Sequence, residues 1–239
     1  MVVACLGSSS TAGRGQAFDW IAELSRRHRN QDVRFYNFGV GGDLAYNALE
    51  RLPKVVACRP DKVVVWIGGN DVLALVSAKI RLFFRLSKHL PCPPSPEWFR
   101  ENMQKIAQRL KAETWASVAL CSLPSIGEDP ASADPFQSEI NRRIEEYSAI
   151  IRQVTERENC AYLAVHEAML AQFRASPGQA FTRFRFIPFY RDAFRVLVRR
   201  KSPDEVARLN GWRFHTDGVH LNSSGGMIAA ELVQEFIDR

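Results

Sequence analysis

Four short segments, far apart in the chain, together contain the residue types that acyl transfer needs. They are Gly7-Ser8-Ser9, Gly41-Gly42-Asp43, Gly68-Gly69-Asn70-Asp71 and Asp217-Gly218-Val219-His220. A serine hydroxyl attacks a carbonyl only when a base takes its proton, and His220 is a base of suitable pKa that can later protonate the leaving group. Asp217 stands three residues before His220, so a single local turn can aim its carboxylate at the imidazole and fix the tautomer. The anionic tetrahedral intermediate needs preorganised donors, and losing one costs about 3–4 kcal/mol in a well-studied protease. The Ser9 N–H, the Gly42 N–H and the Asn70 side-chain amide are the candidate donors. Each segment alone is weak, because a Gly-Ser-Ser turn also suits a phosphate loop and Asp43 or Asp71 also suits a helix cap. A phosphate loop has no use for the distant Asp217/His220 pair or for Asn70.

The elements that must position these residues follow from hydrophobic periodicity. Short β-branched runs alternate with segments of helical period, the pattern of an α/β chain. Strands are expected at Val2–Leu6, Val33–Phe38, Lys62–Ile67, Ala116–Cys121 and Cys160–Val165. Helices are expected at Gln16–Arg29, Leu44–Cys58, Pro96–Ala112 and Phe136–Glu158, with a last helix capped by Ser223 or Ser224 and running to Ile237. Right-handed crossovers then give a three-layer α/β/α sandwich of flavodoxin-like type, with a five-stranded parallel sheet in the order 2-1-3-4-5. Ligands of such sheets bind at the carboxyl ends of strands one and three. Ser9, Gly42 and Asn70 follow strands one, two and three, so the topology brings them to one rim.

The blocks Gly7-Ser8-Ser9-Ser10-Thr11, Asn37-Phe38-Gly39-Val40-Gly41-Gly42-Asp43, Gly68-Gly69-Asn70-Asp71 and Asp217-Gly218-Val219-His220-Leu221-Asn222 resemble those of the SGNH (GDSL-type) hydrolases. The resemblance runs from end to end of the chain. It implies a flavodoxin-like sandwich, with Ser9 as nucleophile, Asp217 and His220 completing a triad, and Ser9, Gly42 and Asn70 as the oxyanion hole. It also implies an esterase or acylhydrolase that uses no cofactor. The chain departs from the family pattern at Ser8, where an aspartate is usual, while Thr11 and Gly13 keep the register on Ser9. No Gly-x-Ser-x-Gly elbow is present, since Thr11 stands where its second glycine would be.

Composition narrows the surroundings of this chemistry. The 239 residues suit one domain spanning 1–239. Two excursions leave the sheet pattern, at about 77–94 and 174–214. Five cysteines without paired spacing, the lack of an apolar run near the roughly 20 residues of a membrane span, and the lack of a basic leader point to a cytoplasmic enzyme. No cluster of metal-ligand spacing occurs, so no metal is expected. The net charge is +6, yet residues 174–201 alone carry +7, leaving the remainder near −1. Without a recognition motif, this concentration does not indicate nucleic acid. Arg191, Arg195 and Arg199 recur at helical spacing, and Arg183 and Arg185 interleave with phenylalanines. The segment reads as a lid carrying Phe184, Phe186, Phe189 and Phe194 over the substrate, with its arginines facing water, an anionic membrane surface or an acidic carrier.

The reaction expected is hydrolysis of a carboxylic ester with an apolar acyl or lipid-like group, through an acyl-enzyme. Thioester and acetylated-sugar substrates and acyl transfer use the same machinery. A non-catalytic membrane- or ligand-binding protein on the same fold is the reading from another class, motivated by Ser8 and the basic-aromatic segment.

Overall fold

The central strands are apolar on both sides, and each side of the sheet has its own helical layer. The computed structural model describes residues 1–182 and 186–239, with the side chains of 186–189 excepted. Five strands, β1 (Val2–Gly7), β2 (Arg34–Gly39), β3 (Lys62–Trp66), β4 (Ser117–Cys121) and β5 (Ala161–Leu163), pair in parallel in the order β2-β1-β3-β4-β5. This is the expected order, and the strand ends fall close to those read from the sequence.

Successive side chains on a strand point to opposite faces. Ala4, Leu6, Val63, Val65, Val118 and Leu120 therefore belong to one buried cluster, with α3 (Ala45–Glu50), α4 (Leu52–Ala57), α7 (Pro96–Glu113) and α8 (Pro135–Glu158). Val3, Cys5, Val64, Trp66, Ala119 and Cys121 belong to the other, with α2 (Trp20–Arg26), α9 (Val165–Ala175) and α12 (Ser223–Asp238). The sheet is covered on both faces, as an all-parallel sheet requires. At its carboxyl rim, β1 runs into α1 (Ser9–Ala12) and β3 runs into α5 (Gly69–Val76).

Several helices differ from expectation for local reasons. The helix expected at Leu44–Cys58 is two, broken at Arg51. Pro53 has no N–H to give Leu49, and its ring crowds that carbonyl, so the first helix stops and a second starts with proline in its first turn. The helix expected at Gln16–Arg29 is confined to α2, followed by a 3-10 turn at His28–Asn30. The final helix is capped not by Ser223 or Ser224 but by Asn222, whose side-chain oxygen accepts from the Gly225 N–H at 3.2 Å. Helix α9 was not foreseen: it follows β5 after a single residue, Ala164, and no side-chain cap marks its start.

Both excursions are helical. Residues 77–94 contain α6 (Ala78–Ser87), and residues 174–214 contain α10 (Phe186–Leu197) and α11 (Pro203–Asn210). Ser202 and Glu205 form a capping box at the start of α11. Among the described residues no helix is long and apolar enough to cross a membrane.

Candidate active site

Gly7 closes β1 at a point with no room for a side chain. A Cβ there would stand 2.1 Å from Thr11 Oγ1 and 2.4 Å from the Trp66 carbonyl. The chain can therefore turn directly into α1, placing buried Ser8 just before the helix and Ser9 in its first turn. The Ser9 N–H has no partner within α1, because the first N–H groups of a helix have no carbonyl behind them.

Asp217 builds its own turn. Its Oδ1 accepts from the Val219 N–H at 2.9 Å and the His220 N–H at 2.8 Å, while Oδ2 lies 2.8 Å from His220 Nδ1. The carboxylate accepts the Nδ1 proton, leaving Nε2 as the lone-pair nitrogen, and Nε2 lies 3.0 Å from Ser9 Oγ. Asp217, His220 and Ser9 thus form one continuous chain of hydrogen bonds across 211 residues of sequence separation. Burial alone would lift the Asp217 carboxyl, but the imidazole and two backbone N–H groups hold it below its ordinary value. Burial alone would lower His220, but the adjacent carboxylate dominates and raises it above 6.5.

The other rim segments converge on the same place. Gly42 has φ +78°, a backbone region that favours glycine, and it lines one cleft together with Ser9, Asn70 and His220. Asn70 is oriented by donating one N–H from Nδ2 to the Asp43 carbonyl at 2.9 Å. The amide has a second N–H to offer an acceptor in the cleft.

A polar network that the sequence did not reveal braces this rim. Asp43 is buried and accepts from Arg51 Nε and Lys88 Nζ, each at 2.8 Å. Arg51, freed by the break between α3 and α4, also donates to the Phe38 carbonyl at 2.5 Å and to the Gly7 carbonyl at 3.1 Å. One guanidinium therefore ties the ends of β1 and β2 to the loop carrying Gly42. Lys88, at the end of α6, donates to the Gly41 carbonyl at 2.6 Å. Pro53 was the available signal for Arg51; no local pattern marks Lys88.

A second buried network supports the triad loop from behind. Fully buried Glu128 accepts from the backbone N–H groups of Arg213, Phe214 and His215, and lies 3.0 Å from His215 Nδ1. His215 Nε2 lies 2.8 Å from the Ser125 carbonyl. Burial pushes the Glu128 carboxyl up, but His215 and these N–H groups more than offset it, and the net direction is down. Both ring nitrogens of His215 are thus engaged within this buried network, away from the triad.

The cleft beside Ser9 has a volume of about 460 Å³ and is walled by Leu73, Ile80, Phe83, Phe84 and Tyr190. Four of the five come from the helices α5 and α6, and only Tyr190 from α10. Of the expected lid residues, Phe184 lies outside the described residues, as do the side chains of Phe186 and Phe189. Phe194 is exposed and is not among the residues lining the cleft. Arg183 and Arg185 also lie outside the described residues. Arg191 and Arg195 pair with Asp192 at 3.4 and 2.9 Å, and Arg199 follows the end of α10 and stacks 5.8 Å from the Phe194 ring. The three arginines therefore do not share one helix face. Among the described residues no group of His, Cys, Asp and Glu is arranged to hold a metal.

A model of the GDSL-like lipase/acylhydrolase family matches residues 5–226. No curated protein sequence matches the chain. Among solved structures, the acetyl xylan esterase AlAXEase superposes with a TM-score of 0.66 at 21% identity, covering 99% of this chain and 100% of that one. Axe2, an acetylxylan esterase from Geobacillus stearothermophilus, gives 0.67 at 17% identity, covering 99% and 93%. The lipase/acylhydrolase from Enterococcus faecalis gives 0.60 at 20% identity, covering 99% and 94%. At these identities the structural likenesses concern the fold.

Proposed function

Since the chain belongs to the GDSL-like lipase/acylhydrolase family, whose members are serine esterases, we propose that Ser9, His220 and Asp217 are its catalytic residues and that they hydrolyse a carboxylic ester. The observation that carries this reading is the Ser9–His220–Asp217 chain, at 3.0 and 2.8 Å. His220 Nε2 takes the Ser9 proton as Oγ bonds to the carbonyl carbon. The oxyanion receives hydrogen bonds from the Ser9 and Gly42 N–H groups and from Asn70. Collapse breaks the bond to the leaving oxygen, which takes the proton from His220, and the acyl group remains on Ser9. Water, deprotonated by His220, then attacks the acyl-enzyme, releasing the acid and restoring the serine.

The substrate carries an apolar, lipid-like portion, which the walls formed by Leu73, Ile80, Phe83 and Phe84 support. The five thiols form no disulfide and fit a reducing, cytoplasmic setting. Labelling with a fluorophosphonate followed by peptide mapping tests the catalytic assignment. Label on Ser9, lost in a folded Ser9→Ala protein together with ester hydrolysis, is the expected result. Hydrolysis retained in Ser9→Ala would remove that serine from the mechanism.

A second reading, docking of α10 on an anionic surface, is favoured by one observation: Phe194, Leu197 and Val198 are all exposed, with Arg199 beside them. Sedimentation with anionic and neutral vesicles tests it; equal binding to both would count against an electrostatic contribution.

A further inference from the structure

Among the described residues, two cavities meet at Ser9, and they differ in size and in their access to the base. The first is the cleft of about 460 Å³, which contains His220 and the apolar walls from α5 and α6. The second, about 30 Å³, is lined by Ser9 and Asn70 and walled by Trp66, Ile67, Leu123, Pro124 and Ile126. His220 does not line it, and Val219 lines both.

The three substituents of an ester carbonyl must be divided between these spaces. The carbonyl oxygen goes to the donors at Ser9, Gly42 and Asn70. The leaving oxygen must come within reach of His220 Nε2, because the proton taken from Ser9 is delivered there as the carbon–oxygen bond breaks. The alcohol portion therefore extends into the space that contains His220, which is the large cleft. The acyl carbon chain takes the remaining direction, away from the imidazole. A single water needs roughly 10–15 Å³ measured in this way, so the small cavity has room for a methyl or ethyl group beside Ser9. Its walls belong to the packed core: Trp66 and Ile67 are buried at the end of β3, and Leu123 and Ile126 are buried after β4.

Resting on ester hydrolysis at Ser9, we infer that this enzyme takes a short acyl group, acetyl or propionyl, on an alcohol with a bulky apolar body, and that Leu123, Pro124 and Ile126 set the acyl limit. The apolar portion of the substrate thus belongs to the leaving group and not to the acyl chain, the reverse of the expectation from the sequence. Acylation joins the short acyl carbon to Ser9 Oγ and releases the large alcohol with the proton from His220. Deacylation needs only water and yields a short carboxylic acid.

The test uses two isomeric esters of equal composition, octyl acetate and ethyl octanoate, which carry the same eight-carbon chain on opposite sides of the ester. Initial rates are measured by titrating the released acid, with the wild-type protein and with Ser9→Ala. The expected result is kcat/KM at least about tenfold higher for octyl acetate, and a fall along ethyl acetate, ethyl butanoate and ethyl hexanoate. Equal rates, or preference for ethyl octanoate, lost in Ser9→Ala, would overturn the acyl assignment while sustaining hydrolysis at Ser9. Octyl acetate hydrolysis that persists in Ser9→Ala would instead overturn the mechanism beneath it. In Ile126→Val, the ratio of ethyl butanoate to ethyl acetate hydrolysis is expected to rise; an unchanged ratio would remove Ile126 from the wall.

Discussion

The Lys88 ammonium lies 2.8 Å from the Asp43 carboxylate, although the two residues are 45 positions apart and belong to different segments of the rim. The same ammonium holds the Gly41 carbonyl, so the loop that presents the Gly42 N–H is fastened to the end of α6. Asp43 in turn holds Asn70 through its own carbonyl. Lys88 therefore acts as a positioning residue for two of the three proposed oxyanion donors.

Substituting Lys88→Met keeps most of the aliphatic stem and removes these bonds. Arg51 still pairs with Asp43, so the buried carboxylate is not left without a cation. Misplacing catalytic groups by an ångström costs up to about 100-fold in rate. A fall in kcat of between about 10- and 100-fold is expected, with a smaller change in KM. Steady-state kinetics on one short-acyl ester check it, and an unchanged kcat would show that the loop holds its shape without Lys88.

The pH dependence follows from His220. A general base must be neutral, so kcat/KM rises with pH as the imidazole loses its proton. The Asp217 carboxylate raises that pKa above 6.5, and the half-point of the acid limb is expected above 6.5 as well. In Asp217→Asn the carboxylate is gone and only burial acts on the ring, so the half-point moves below 6.5. The rate is expected to fall by about 10⁴-fold, because Nδ1–H loses its acceptor and the tautomer is no longer fixed. A pH–rate profile of both proteins decides the matter; an acid limb at the same pH in the two would dissociate it from this pair.

The parts of this site that were legible in the sequence are those written locally. Asp217 and His220 fall three residues apart, and Ser9, Gly42 and Asn70 each follow a strand that was read from its short β-branched or aromatic run. The sheet order followed from the alternation of strands and helices, because right-handed crossovers in a flavodoxin-like chain lead to 2-1-3-4-5. What was not legible depends on long-range polar contacts. Glu128 reaches the His215 ring 87 residues away, and Lys88 reaches Asp43 across 45. Such pairs leave no periodicity, since a carboxylate destined for burial looks like one destined for water. Arg51 is intermediate: Pro53 carried a signal for the helix break, although the run was read as one helix, and nothing nearby says what the guanidinium would hold.

Glu128 bears on stability more than on chemistry. It is fully buried and gathers three backbone N–H groups and one imidazole nitrogen, all from residues 213–215. Glu128→Gln removes the charge and turns an amide NH2 toward donors. Removing one member of a buried pair costs about 3–5 kcal/mol. For a chain of this size that lowers the Tm by about 6–20 °C. Differential scanning calorimetry checks the shift, and a Tm within a degree or two of wild type would mean that the loop finds other acceptors.

Asp71 gives the stability of this protein its own pH dependence. It is buried beside Asn70, its Oδ2 accepts from the Ala45 N–H at 3.2 Å, and burial pushes its carboxyl up to about 8. The folded protein therefore keeps a proton on Asp71 at pH 7, where the unfolded chain has lost it. Between the unfolded value of 3.8 and the folded value of about 8, the native state binds more protons than the unfolded state. Its stability must fall as pH rises through that window, and the contribution levels off above it. Asp71→Asn retains an oxygen for the Ala45 N–H and has no proton to lose. Relative to wild type, this variant is expected to gain stability steadily from about pH 4 to about pH 8, as read by urea unfolding at a series of pH values. A constant difference across that range would show that Asp71 does not titrate there, and that its carboxyl is held by a partner that keeps it ionised.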